Sequence, residues 1–80
     1  MKKITYTIHA LKRMRERRIS KEEVVACLER PDKKIVMDHR KKAMKRINKR
    51  ALVVVYQESR DSVTIITTYA TSKVDKYFKE

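Results

Sequence analysis

Eighty residues carry 22 Lys and Arg against 10 Asp and Glu, a formal net charge of +12, with 41% of the chain apolar. That apolar share speaks against a disordered polyelectrolyte, and no apolar run is long enough to form a membrane helix. The lone Cys27 excludes an intramolecular disulfide and a Cys-rich metal site, and the absence of glycine excludes a glycine-rich phosphate loop.

The length fits a single domain over residues 1–80, whose small core buries only about 60% of the unfolded surface. In chain order, residues 4–8 alternate and are rich in β-branched and aromatic types, which predicts a short strand. Thr7 or His9 opens the next helix, with Leu11 and Met14 on its core side and the stem of Arg18 beside them. The second helix has the clearest local signal. Ser20-Lys21-Glu22-Glu23 fits a capping box, Ile19 and Val24 a hydrophobic staple, and Val24, Val25, Cys27 and Leu28 a buried face. Cys27 on that face reads as an inert buried thiol. Pro31 ends the helix, since the residue before a proline is pushed out of the helical region.

Ile35-Val36-Met37-Asp38 is the next strand candidate, and Ala43 to Asn48 a weaker one interrupted by charge. Leu52 to Tyr56 is continuously apolar, as a strand covered on both faces should be. Val63 to Ala70 is a long β-branched run, and residues 72–79 read as a short C-terminal helix docked by Val74, Tyr77 and Phe78. The expected fold class is α+β: an N-terminal short strand and two helices packed on a mostly antiparallel four-stranded sheet, closed by that helix.

No signal peptide is visible, because alternating polar residues follow Met1-Lys2-Lys3 where an apolar core would be needed; a cytoplasmic protein is expected. Abundant Lys, Arg and Glu beside one asparagine and one glutamine match the bias of proteins from hot environments.

The chemistry that the residues suggest centres on the first helix. His9, Arg13 and Arg17 recur every four positions and share one stripe, where like charges repel unless something anionic lies against them. His9 supplies the imidazole of this cluster, the side-chain type most often used for acid–base work. Cleavage of RNA by its own 2′-hydroxyl needs a base, an acid and a stabiliser of the phosphorane. His9 could be the base or acid, and Arg13 and Arg17 the phosphate ligands, with no metal and no cofactor. The structural alternative for His9 is a helix cap or a packing residue.

Residues 1–18 and 33–50 hold sixteen of the 22 Lys and Arg. If the first helix lies beside the hairpin strands, both clusters line one groove, and Lys12, His39, Arg40, Lys42, Lys45 and Arg50 are candidate nucleic-acid contacts. The alternative is that lysine-rich hairpins only blunt sheet edges. Tyr6, Tyr56 and Tyr69 are core or sheet-surface candidates, and one of them on an open face could stack a base or donate a proton. His9 and His39 lack a third ligand for zinc.

His9-Ala10 with Arg13, Arg15 to Ser20 with Glu22-Glu23-Val24, Pro31-Asp32, the basic hairpin, Leu52 to Val55 and Val63 to Thr71 together resemble the DUF4258 family over nearly the whole chain. That family in turn is similar to BrnT and, more distantly, to RelE-like toxins, small basic α+β ribonucleases silenced by an acidic antitoxin. The resemblance implies a RelE-like sheet and an RNA substrate. It makes His9, Arg13 and Arg17 the motif positions, with Tyr69 as a catalytic companion and Arg46 and Thr71 as RNA contacts. The family often has glycine where this chain has Arg18, and glycine would suit a left-handed helix cap.

Three functions share this charge. The leading one is a metal-independent endoribonuclease of a toxin–antitoxin pair. The others are a non-catalytic nucleic-acid-binding module and a basic domain that docks an acidic partner protein. A homodimer through the strands is compatible with each.

Overall fold

The computed structural model describes residues 2–73. They form β1 (Lys3–Tyr6), α1 (Ile8–Arg17), α2 (Lys21–Glu29), β2 (Lys33–Val36), β3 (Lys41–Ile47), β4 (Arg50–Glu58) and β5 (Ser62–Thr71). The α+β class and the two N-terminal helices are as expected. The sheet is not four-stranded: the N-terminal strand joins it, giving five strands in the order β1-β5-β4-β3-β2. β1 pairs in parallel with β5, from Lys3 beside Ser62 to Tyr6 beside Ile65, and the remaining pairs are antiparallel. A parallel pair needs a long crossover, and here everything from α1 to β4 supplies it. Local pattern carries no information about so distant a partner. Of the expected helix over 72–79, Ser72 and Lys73 are not helical, and the rest lies outside the described residues. The strand expected at Ile35 to Asp38 is shifted back to Lys33–Val36.

Thr7 both ends β1 and starts α1. Its amide donates to the Ile65 carbonyl at 3.2 Å, and its hydroxyl is shared between the Ile65 and Ile66 carbonyls at 2.9 Å. The same oxygen accepts from the Ala10 amide at 3.0 Å, satisfying one orphan donor of the first turn. Ile66 is where the register slips: Val55 faces Thr67 but Tyr56 faces Ile65, so β5 carries one extra residue, a β-bulge.

At the far end of α1, the Ile19 amide reaches the Met14 carbonyl at 2.8 Å and the Arg18 amide the Arg15 carbonyl at 3.4 Å. This is a Schellman cap, with Arg18 left-handed at φ 54 and Met14 and Ile19 meeting in the core. The chain thus uses Arg18 where glycine would be unstrained. Ser20 then caps α2 through the expected box, its hydroxyl accepting from the Glu23 amide (3.1 Å) and its amide donating to the Glu23 carboxylate (2.9 Å). Asn48 and Lys49, at φ 49 and 67, make the two-residue turn between β3 and β4, since both central positions of a type I′ turn need positive φ.

Both helices bury one face of the sheet. Ala10 and Met14 of α1 and Val24 and Cys27 of α2 meet Ala43, Leu52, Val54, Tyr56, Val63 and Ile65 in one cluster. Leu11 is not part of this core but 41% exposed, and Ala10 takes the place expected for it. Ala51, Val53 and Val55 alternate onto the opposite face of β4 and are buried too, which explains why this strand reads as continuously apolar. Cys27 donates from Sγ to the Ala43 carbonyl at 3.4 Å, and burial pushes its thiol up to about 12. It is chemically inert at neutral pH.

A left-handed conformation costs a non-glycine residue roughly 1–2 kcal/mol. Arg18→Gly and Lys49→Gly are each expected to raise unfolding free energy by about 1 kcal/mol. Urea midpoints of the two variants, at unchanged m-value, check this; no rise in either would mean that the strain is relieved elsewhere.

Candidate nucleic-acid interface

α1 lies against β5, and α2 against β3 and β4. The hairpin β2–β3 therefore sits across β4 from α1, and the two basic clusters of the sequence do not line one groove. The predicted residues fall into three places, while Lys45 and Arg50 serve the fold.

The first place is α1 itself. The helix covers Ile8–Arg17, so His9, Arg13 and Arg17 do lie on one stripe, with Lys12 beside them. His9, Lys12, Arg15, Arg17 and Arg18 are exposed, and Arg13 is half-buried. Of these side chains, Arg13 alone meets an acid within the described residues, Glu16 at 3.2 Å. An exposed i,i+3 pair of this kind contributes little, about 0–1 kcal/mol. Arg15 and Arg17 in the last turn favour the negative end of the helix dipole. No acidic residue occupies the first turn.

The second place is the sheet face away from the helices. Register puts Lys33, Met44, Val53 and Tyr69 in one cross-strand row, Ile35, Lys42, Val55 and Thr67 in the next, and Arg46, Ala51 and Thr71 in a third. Lys42, Arg46, Tyr69 and Thr71 thus share a face with each other and not with His9. The backbone of Arg46 is fixed by its amide, which donates to Asp32 at 2.8 Å. The third place is the turn 37–40, where Met37 donates to the Arg40 carbonyl at 2.8 Å and His39 and Arg40 stand exposed.

Lys45 and Arg50 serve the fold. The Lys45 ammonium donates to the Arg30 carbonyl at 2.9 Å, a cation at the end of α2, whose own last turn has no basic residue. The Arg50 guanidinium donates to the carbonyls of Arg17 (3.0 Å) and Arg18 (3.1 Å) and meets Glu23 at 3.2 Å. The Ser20 backbone amide is the main reason that the Glu23 carboxyl lies below its usual range, with Arg50 adding to the effect and burial opposing it. Arg15 and Lys33 stand with the predicted sets but are not singled out by the sequence. Arg15 falls off the four-residue spacing, and Lys33 joins its face only through pairing with Met44.

Among the described residues no group of three or more His, Cys, Asp or Glu could hold a metal ion, and no helix is long and apolar enough to cross a membrane. A family model described as a domain of unknown function, DUF4258, matches residues 6–70. The chain belongs to the DUF4258 family. That match covers both helices and β2 to β5 as far as Ala70, but only Tyr6 of β1, and carries no link to BrnT or RelE-like toxins. No curated protein and no solved structure matches the chain.

Two ion-pair sites make testable statements. Glu58 lies 2.8 Å from Lys2 and 2.6 Å from Lys41, and hydrogen bonds from these two lysines pull its carboxyl down to about 2 from 4.5. A depressed carboxyl stabilises the fold above its unfolded pKa, and that contribution disappears as pH falls through the folded value. Glu58→Gln should therefore lower the urea midpoint at pH 7, by less at high salt, and should converge with the parent as pH drops from about 4.5 to about 2. Parallel curves at all pH values would contradict this. Arg50→Ala should cost about 1–3 kcal/mol, because two helix-end carbonyls and Glu23 lose a charged donor together. Arg50→Lys should recover only part of it, lacking the planar fork.

Proposed function

We propose that this DUF4258 protein binds RNA along α1. The carrying observation is that α1 sets Lys12, Arg13, Arg15, Arg17 and the following Arg18 against one acid, Glu16, and that Glu16 pairs with Arg13. The other four basic side chains make no ion pair within the described residues. Like charges three or four positions apart, Lys12 with Arg15 and Arg13 with Arg17, repel on a helix unless a polyanion lies against them. Sequence-independent phosphate neutralisation with release of counterions is the expected mode. Lys33 and Lys42 on the far sheet face would extend contact to a longer strand.

The second reading is a metal-independent endoribonuclease of the toxin kind, as the resemblance to BrnT and RelE-like proteins suggests. The observation favouring it is that His9 is exposed in the first turn, with Lys12 and Arg13 three and four positions on. A strand lying on α1 would bring its phosphates to the imidazole. His9 would take the proton of a 2′-hydroxyl, whose oxygen attacks phosphorus. The phosphorus–5′-oxygen bond would break, giving a 2′,3′-cyclic phosphate, with the 5′-oxygen taking its proton from solvent water, while Arg13 and Arg17 carry the developing charge. Tyr69 lies on the sheet face away from His9, so this reading rests on α1 alone. An acidic partner that covered α1 would silence either activity, which is the antitoxin role in this reading.

Affinity for a single-stranded RNA should fall linearly in a plot of log K against log salt, by about 0.7 per phosphate neutralised. The combined variant Lys12→Ala, Arg15→Ala, Arg17→Ala should reduce that slope by about 2. A slope unchanged by the variant would remove α1 from the interface. In EDTA, loss of cleavage in His9→Ala with binding retained would establish the ribonuclease, and cleavage surviving the substitution would end the His9 assignment.

A further inference from the structure

Charge on α1 explains affinity for a strand but provides nowhere for a base to go. The described residues offer such a place at the end of the sheet that carries the turn 37–40 and the connection from β4 to β5. A cleft of about 490 Å³ opens between the turn 37–40 and the connection from β4 to β5. Its size is that of a small-ligand site, typically about 300–1,000 Å³.

The walls differ in chemistry. Val36 and Met37 give an apolar side, and they are 70% and 39% exposed to water. Apolar side chains lining a concave surface are the usual wall of a small-ligand site. Gln57 and Thr64, paired across β4 and β5, give an opposite side of amide and hydroxyl groups. Ser59 and Ser62 at the rim hydrogen-bond each other, with their hydroxyls 2.9 Å apart.

The charges are largely spent. Glu58 is held by Lys2 and Lys41, so these three lining or neighbouring groups cancel much of one another's field. Asp38, His39 and Arg40 remain, and none of them makes an ion pair within the described residues. An occupant must therefore present a flat apolar body to Val36 and Met37. It must carry hydrogen-bonding edges for Gln57 and Thr64, and one anionic group within reach of Arg40. Lipids lack the edges, and a simple inorganic anion lacks the body.

We infer that this cleft binds a single nucleotide, its base against Val36 and Met37 and its phosphate at Arg40 and His39. The nucleotide is one unstacked unit of the RNA that α1 holds, so the inference rests on the RNA reading above. Unstacked bases of single-stranded RNA are the ones that proteins read by edge contacts. Gln57, able to donate and accept, is the residue that would choose between bases.

The test is a titration of the isotope-labelled full chain with AMP and, separately, with a single-stranded RNA hexamer, following the Met37 methyl, the Gln57 side-chain amide and the amides of 37–40 and α1. Saturable AMP shifts confined to the cleft are expected, weakened about tenfold by Arg40→Ala through loss of one charge-assisted contact. The hexamer should move the cleft and α1 together. Val36→Ser, which keeps every charge, should weaken AMP while leaving the salt slope of RNA binding unchanged. If the hexamer binds through α1 and the cleft signals stay still, the nucleotide site is wrong and the RNA reading stands. If AMP fills the cleft but the hexamer does not bind, the site serves free mononucleotides and both the RNA reading and its link to the cleft fall. Shifts from AMP spread equally over the basic surface would overturn the site as mere anion condensation.

Discussion

The guanidinium of Arg50 fastens the fold. It reaches the last carbonyls of α1 and the capping carboxylate of α2 from the first residue of β4. Helix ends leave carbonyls without partners, and the link between α1 and α2 is only residues 18–20. A tight corner of that kind concentrates unsatisfied oxygens, and a five-donor planar cation is the side chain best shaped to gather them. Once the corner is held, both helices lie on the same face of the sheet, and Leu52, Val54 and Tyr56 are buried beneath them.

That arrangement sorts the basic residues. Lys45 and Arg50 point their charge at backbone carbonyls, and Lys2 and Lys41 share Glu58. Lys12, Arg15, Arg17 and Arg18 make no ion pair within the described residues, and Arg15 and Arg17 meet only the helix dipole, while like charges on a ten-residue helix repel. The contrast between paired and unpaired charge, more than the net charge itself, is the physical basis of the proposal that RNA lies on α1.

Legibility in the sequence followed the range of the interactions. The capping box at Ser20, the staple of Ile19 and Val24, the stop at Pro31 and the stripe of His9, Arg13 and Arg17 each involve residues within a few positions, and each appears at its expected place. The apolar run of β4 was legible as a doubly covered strand. Leu11 was misplaced because Ala10 and Leu11 differ by about 100° around the helix, and only the direction of the sheet selects between them. The single basic groove failed for a related reason: strand order, not sequence proximity, decides what lies beside α1.

By itself, the sequence determined the α+β class, the helix pair with its caps, and an excess of positive charge on α1 and the hairpin, because propensity, capping and periodicity act within one or two turns. The tertiary structure alone decided that β1 closes the sheet in parallel with β5, that Arg50 and Lys45 belong to the framework, and that Val36, Met37, Gln57 and Thr64 enclose a cleft. Those outcomes depend on contacts between residues about fifteen to sixty positions apart. Such contacts exist only after the chain has paid the entropy of bringing them together.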